Sequence, residues 1–208
     1  MDIHPPHHPI TSVRDFLLQI FTITVGIVIA LGLESLVQWR ADENLARVTR
    51  ADFKAEITEN LANLEKLKPA MESDMKWMVD TIAYGEARLR HQNTKPPALL
   101  TSRNFATFSK TAWDTALATQ AVHRLRFAEA RQLASTYSKQ AAINDLEDHA
   151  EHQWIALSSY GDVDNLDDQD VRSGLGNLRI AAAYTGSILN SEPRMVASYK
   201  AALAALDK

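Results

Sequence analysis

Cysteine is missing from this chain. That one absence removes disulfides, thiol nucleophiles, thiolate zinc sites and iron–sulfur clusters together, and it leaves the redox compartment open. Glycine and proline are scarce, 7 of each in 208 residues, while Ala, Leu, Glu, Gln, Lys and Arg are plentiful. Scarce helix breakers and abundant helix formers predict an all-α chain and argue against any sheet-based fold. Positive charge is not in excess either. There are 22 Lys and Arg against 26 Asp and Glu, a formal charge of -4, so nothing draws the chain toward nucleic acid.

The motifs of common chemistries are also lacking. No GxSxG elbow, Walker A loop or dinucleotide fingerprint occurs, and Gly174-Leu175-Gly176 has neither the strand nor the third glycine such a site needs. Neither catalysis nor a cofactor is therefore expected. Hydrophobic residues at 46% and charged residues at 23% are those of an ordinary globular chain that builds a core.

The averages hide the strongest local signal, the uncharged run from Phe16 to Leu33, FLLQIFTITVGIVIALGL. At roughly 1.5 Å per helical residue it approaches the ~30 Å hydrocarbon thickness of a bilayer. Extension to Trp39 supplies the rest, with Trp39 suited to the headgroup level and Arg40 just beyond it. A retained single transmembrane helix over residues 16–39 is the expectation, and the bilayer is the first expected partner. A cleaved signal peptide ending at Ala30-Leu31-Gly32 is the first competing reading. Against it, the run exceeds the usual ~7 to 15 apolar residues, and no breaker separates it from the helical pattern beyond. A buried core helix, the second competitor, would need partners on every side.

Thr22, Gly26 and Ala30 recur every four residues and share one helix face. Small residues there let another membrane helix approach, so a membrane-protein partner or a second copy of this chain is expected at that face. Orientation is contested. Arg40, Arg47, Arg50 and Lys54 follow the run and only Arg14 precedes it, which favours a cytoplasmic body. Asp42, Glu43 and Asp52 lie among those cations, and a short tail before one apolar helix is the layout of a signal anchor with an exported body, which we favour.

The stretch from His7 to Arg40 resembles the head of uncharacterised bacterial membrane proteins that pair an IGIxIAL span end with a long charged helix. The residues carrying the likeness are Val25-Gly26-Ile27-Val28-Ile29-Ala30-Leu31, with Glu34 following. The resemblance implies a bacterial inner-membrane address and a helical body, and it brings no catalytic residues with it.

Beyond the membrane segment, Ile57, Leu61, Leu64, Leu67, Met71, Met75, Met78 and Ile82 recur at steps of three and four. That is a helix with one apolar stripe. The stripe keeps phase across Pro69, so one long kinked helix over 40–91 is predicted rather than a hairpin. Pro96-Pro97 end it in a loop over 92–103, and residues 104–208 should complete a bundle. Its helices are expected near 104–121, 127–159, 168–189 and 192–206. Ser191 should cap the last and Asp167 the one before, with Trp77, Trp113 and Trp154 in the core. Residues 1–15 are expected to be a flexible tail, where His4, His7 and His8 lie among prolines.

Two polar clusters invite chemistry. Asp145, His149 and His152 share a helical face that could hold a divalent metal, but their order matches neither zincin pattern. A solvated face is the simpler reading, and a metalloenzyme using this pair needs both rings turned inward. Asp162, Asp164, Asp167, Asp168 and Asp170 suggest a calcium loop. An EF-hand starting at Asp162 fails, because Asp167 stands where Gly is needed and Ser173 where Glu is needed. From Lys139 to Arg172 there is no intervening Lys or Arg, so this acidic stretch reads as a docking surface for a basic partner or as a solvated loop. The leading expectation is a single-pass membrane protein acting by contact as an accessory or scaffolding subunit. The runner-up is an extracytoplasmic ligand sensor, which needs a pocket of at least ~300 Å³ within the bundle.

Overall fold

A computed structural model describes residues 13–98, 103–105, 107–160 and 166–207. Four helices account for most of them: α1 Val13–Leu89, α2 Thr111–Ala118, α3 Phe127–Ser158 and α4 Asp168–Leu206, with a 3-10 turn at Ala121–Arg124 between α2 and α3. No strand occurs among the described residues, and the protein is all-α. The chain divides into two units, residues 1–47 and 48–208.

In the first unit the described residues are helical and their large apolar side chains face outward. Phe16, Leu18, Phe21, Val28, Leu33, Val37 and Trp39 are all exposed. The most apolar 18-residue window has a mean hydropathy of 2.4 and is 0% buried. By length and composition this is one helix able to cross a membrane.

The second unit has its own core. The α1 stripe turns inward, with Ile57, Leu64, Met71 and Met78 buried and Leu61, Leu67, Met75 and Ile82 half-buried. From Ile57 to Met71 they meet Leu133, Tyr137 and Ile143 of α3 and Ile188, Met195, Tyr199 and Ala202 of α4, while Met75, Met78 and Ile82 join Leu178, Ala181 and Ala182 of α4. Phe53 joins the same core, its ring 5.9 Å from Tyr137 and 6.3 Å from Trp113.

Pro69 lies inside α1 without ending it. The exposed proline forfeits one backbone hydrogen bond, but buried Leu64 and Met71 on either side hold the helix in phase. The same physics overturns the expected break near Ser191. α4 continues through Pro193 to Leu206, because Ile188, Glu192, Met195 and Tyr199 form one continuous buried face. Instead of capping a new helix, the Ser191 hydroxyl accepts a hydrogen bond from Arg194 Nη2 at 3.3 Å. Lys68 Nζ pairs with Glu192 at 2.9 Å, each partner standing immediately before its own helix's proline. The Glu192 carboxylate hydrogen bond and charge raise the Lys68 ammonium above its ordinary range.

The helix expected over 104–121 is likewise corrected to the short α2 at Thr111–Ala118. Two polar side chains buried in the α1 seam explain the difference, because they take the backbone groups that helix formation would have used. Asp74 accepts from the Asn104 backbone N–H at 3.0 Å. Asn60 accepts from the Ser109 N–H at 3.0 Å and donates to the Ser109 carbonyl at 2.8 Å. Gln140 Nε2 donates to that carbonyl as well, and the Tyr199 hydroxyl closes the network on Gln140 Oε1 at 2.8 Å. Asp167 does cap α4, accepting from the N–H groups of Gln169 and Asp170 at 2.8 Å each.

Candidate functional site

The second unit contains a cavity of 390 Å³ where the end of α1, the end of α3 and the beginning of α4 meet. α1 contributes Trp77, Thr81, Tyr84, Gly85 and Arg88, whose spacing puts them on one helix face. Trp154, Leu157 and Ser158 come from α3, with Tyr160 just after it. α4 supplies Val171, Gly174, Leu175 and Leu178 at helical spacing, together with Asp170.

The aromatic wall is built by local contacts. The Trp77 and Trp154 rings stack with centroids 5.5 Å apart and planes 30° from parallel. Trp77 Nε1 donates to the Ala98 carbonyl at 2.7 Å, fixing that ring against the segment after α1. Behind Trp154 lies Arg103, whose guanidinium carbon sits 5.9 Å from the Trp154 ring and 4.6 Å from that of Phe105. Arg103 is nearly buried and pairs with Glu147 at 2.9 Å, their side chains 4% and 6% exposed. Burial lowers the Arg103 guanidinium from its ordinary value, against the opposing pull of Glu147. Breaking such a pair would strand a buried charge.

On the opposite side, a Cβ placed on Gly85 would come within 2.7 Å of Leu175 Cδ2. Only glycine therefore fits there without a shift of the Leu175 side chain. Arg88 Nη2 donates to the Leu166 carbonyl at 2.7 Å at the entry to α4. Trp154 Nε1 and Thr81 Oγ1, both on lining residues, are shielded from solvent and have no hydrogen-bond partner. The described lining residues thus offer mainly carbon, with the hydroxyls of Thr81, Tyr84, Ser158 and Tyr160 and the charged groups of Arg88 and Asp170.

A larger depression of 600 Å³ lies between α3 and α4, lined by short side chains such as Ala142, Ala197 and Ala201 together with Lys139 and Arg194. Lys139 Nζ donates to Ser198 Oγ at 3.2 Å. It has no aromatic wall.

The residues singled out in the sequence fall elsewhere. His149 and His152 are both exposed, and each Nδ1 lies against its own helix, 2.5 Å from the Asp145 carbonyl and 2.6 Å from that of Asp148. His149 also lies beside Tyr184, ring centroids 5.3 Å apart. No group of three His, Asp or Glu side chains arranged to hold a metal occurs among the described residues. The inward-turned pair required for a metalloenzyme is not formed, and that alternative is withdrawn.

Asp162 and Asp164 lie outside the described residues, as do His4, His7 and His8. The remaining aspartates of the acidic stretch have local tasks. Asp167 caps α4, Asp168 pairs with Arg172 at 3.9 Å, and Asp170 lines the cavity. Thr22, Gly26 and Ala30 are exposed on α1, with nothing within 4 Å of a Cβ added at Gly26. Trp39 and Arg40 are exposed as well, Trp39 by 61%.

The cavity itself was not visible in the sequence. Trp77 and Trp154, expected as core, are half-buried and pack against a second, smaller core of Met78, Leu178, Ala181 and Ala182 while facing the void. Gly85 and Gly174, two glycines inside otherwise helical stretches, were the signal available for it. No protein-family model, curated protein or solved structure matches this chain.

Proposed function

We propose that this is a single-pass protein of the bacterial inner membrane whose helical body acts by contact, as an accessory or scaffolding subunit, and not by catalysis. One observation carries the reading. An apolar stretch long enough to span a bilayer is left uncovered, while the rest of the chain builds a separate core. Exposed apolar surface on that scale marks contact with lipid or with another protein. The head motif Val25 to Leu31 with Glu34 supports the inner-membrane address, and we take the body to be periplasmic. Thr22, Gly26 and Ala30 form the face offered to a partner helix.

Alkaline carbonate extraction of membranes tests the anchor, and the chain is expected in the pellet. Release of the intact chain into the supernatant would remove the reading. Purification in mild detergent then tests the role. A stable companion, or a second copy of the chain, should co-elute; a solitary monomer would count against a scaffold.

A second reading, a ligand sensor in the same orientation, is favoured by a specific observation, the 390 Å³ cavity with Arg88, Asp170 and Ser158 among its walls. Its size falls within the range of small-molecule sites, roughly 300 to 1,000 Å³.

A further inference from the structure

The cavity at the α1, α3 and α4 junction can be assigned a class of occupant, an inference that rests on the ligand-binding reading just given. We propose that it takes an uncharged, mainly apolar molecule carrying a single hydroxyl or carbonyl oxygen, such as a medium-chain alcohol or ketone.

Three observations lead there. The volume of 390 Å³ has room for about a dozen water-sized groups at ~30 Å³ each, which suits a small organic molecule. The walls are carbon over most of their extent, through Trp77, Trp154, Leu157, Leu175 and Leu178. Among the described lining residues the charged groups are one of each sign, Arg88 and Asp170, and Arg88 donates to the Leu166 carbonyl. An ion entering would lose its hydration without a net opposite charge to replace it. A neutral molecule with one polar end loses little: a hydroxyl or carbonyl oxygen can accept from Arg88, and a hydroxyl can also donate to Asp170 or to Ser158 Oγ, whose own proton goes to the Ile155 carbonyl.

Leu175 covers the bare α1 backbone at Gly85, where an added Cβ would stand 2.7 Å from Leu175 Cδ2. The stacked Trp77 and Trp154 rings supply the aromatic part of the lining. Apolar walls of this kind favour an occupant that removes them from water.

Glycine spacing supplies the test. A Cβ on Gly174 would lie 3.9 Å from both Leu157 Cδ2 and the Tyr160 ring, an ordinary contact, so a larger side chain there enters the cavity without clashing at its root. A Cβ on Gly176 meets nothing within 4 Å and serves as the control. The full chain in lipid nanodiscs is photolabelled with a diazirine-bearing octanol, and the adducts are mapped by peptide mass spectrometry. Adducts are expected on Trp77, Tyr84 or Tyr160, falling at least fivefold in Gly174→Leu and changing less than twofold in Gly176→Leu. Unlabelled octanol should compete at a concentration at least tenfold below octanoate or octylammonium, a measurement on the unaltered chain that stands even if Gly174→Leu does not fold. Equal or better competition by either ion overturns the uncharged assignment and leaves the sensor reading standing. Absence of cavity adducts from neutral, anionic and cationic probes alike overturns both.

Discussion

Glu129 shows how much one side chain contributes to joining the helices. Its buried carboxylate accepts from Arg50 Nε and Nη2 at 3.1 Å each, from Arg126 Nη2 at 2.5 Å and from the Arg126 backbone N–H at 2.9 Å. Burial alone would raise this carboxyl, but the hydrogen bonds from Arg126 and Arg50 outweigh it and hold the group at about 2, below an ordinary 4.5. A carboxyl depressed on folding stabilises the native state above the unfolded value, and that stability is lost as pH falls through the folded one. Glu129 therefore supports the fold fully above about pH 4.5 and loses its effect toward pH 2. Glu129→Gln should cost about 1 to 3 kcal/mol at neutral pH, after allowance for partial solvent screening, and should flatten the acid limb of the stability curve. Thermal unfolding followed by circular dichroism from pH 7 to pH 2 checks this. An unchanged acid slope in the variant would mean that the carboxylate does not couple to folding. Tyr137 and Tyr199 are displaced upward in the same network region, by burial first and then by the Glu56 charge, so neither titrates within the range where the fold is measured.

Among the elements, the segment from Arg103 to Lys110 is the one whose shape depends most on others. Its described residues form neither helix nor strand, and Asn60 and Asp74 bind the backbone at Ser109 and Asn104. Removing the Asn60 amide takes partners from the Ser109 N–H and carbonyl in a partly buried site, at about 1 to 2 kcal/mol. Asn60→Ala should accordingly speed hydrogen exchange at the Ser109 amide by more than tenfold while α3 amides stay protected. Uniform loss of protection along α3 would show a global effect instead. The same contrast says what could be read from the chain beforehand. The stripe from Ile57 to Ile82, the all-α class and the Asp167 cap depend on local periodicity and local hydrogen bonding, which a sequence displays. The late start of α2 depends on polar residues 30 to 49 positions away that bind Asn104 and Ser109, and the passage through Pro193 on a tertiary face outweighing a local breaker. Neither is a local property. The cavity is harder still, since its walls come from three helices and its signature is two isolated glycines.

For the molecule as a whole, the division into two units separates two kinds of stabilisation. Residues 48–208 bury Phe53, Leu64, Leu133 and Tyr199 against one another and need no lipid for that. The first unit buries none of its apolar window and depends on its surroundings. A lysine at Ile27, in the middle of the run, should disfavour insertion by about 2.5 to 3.5 kcal/mol. Ile27→Lys is thus expected to raise the carbonate-extractable fraction severalfold, with the thermal transition of the second unit unchanged. A variant that stays wholly in the pellet would argue that another surface holds the chain at the membrane.

The paired indoles of the cavity wall carry one more consequence. Two transition dipoles with ring centroids 5.5 Å apart and planes 30° from parallel couple strongly enough to split their absorption into an exciton couplet. The remaining tryptophans, Trp39 and Trp113, have no indole partner of this kind among the ring contacts; Trp113 stacks on Tyr137 instead. The protein therefore carries a built-in optical gauge, and any filling or prising apart of that wall can be read as a change in ultraviolet dichroism, with no dye attached.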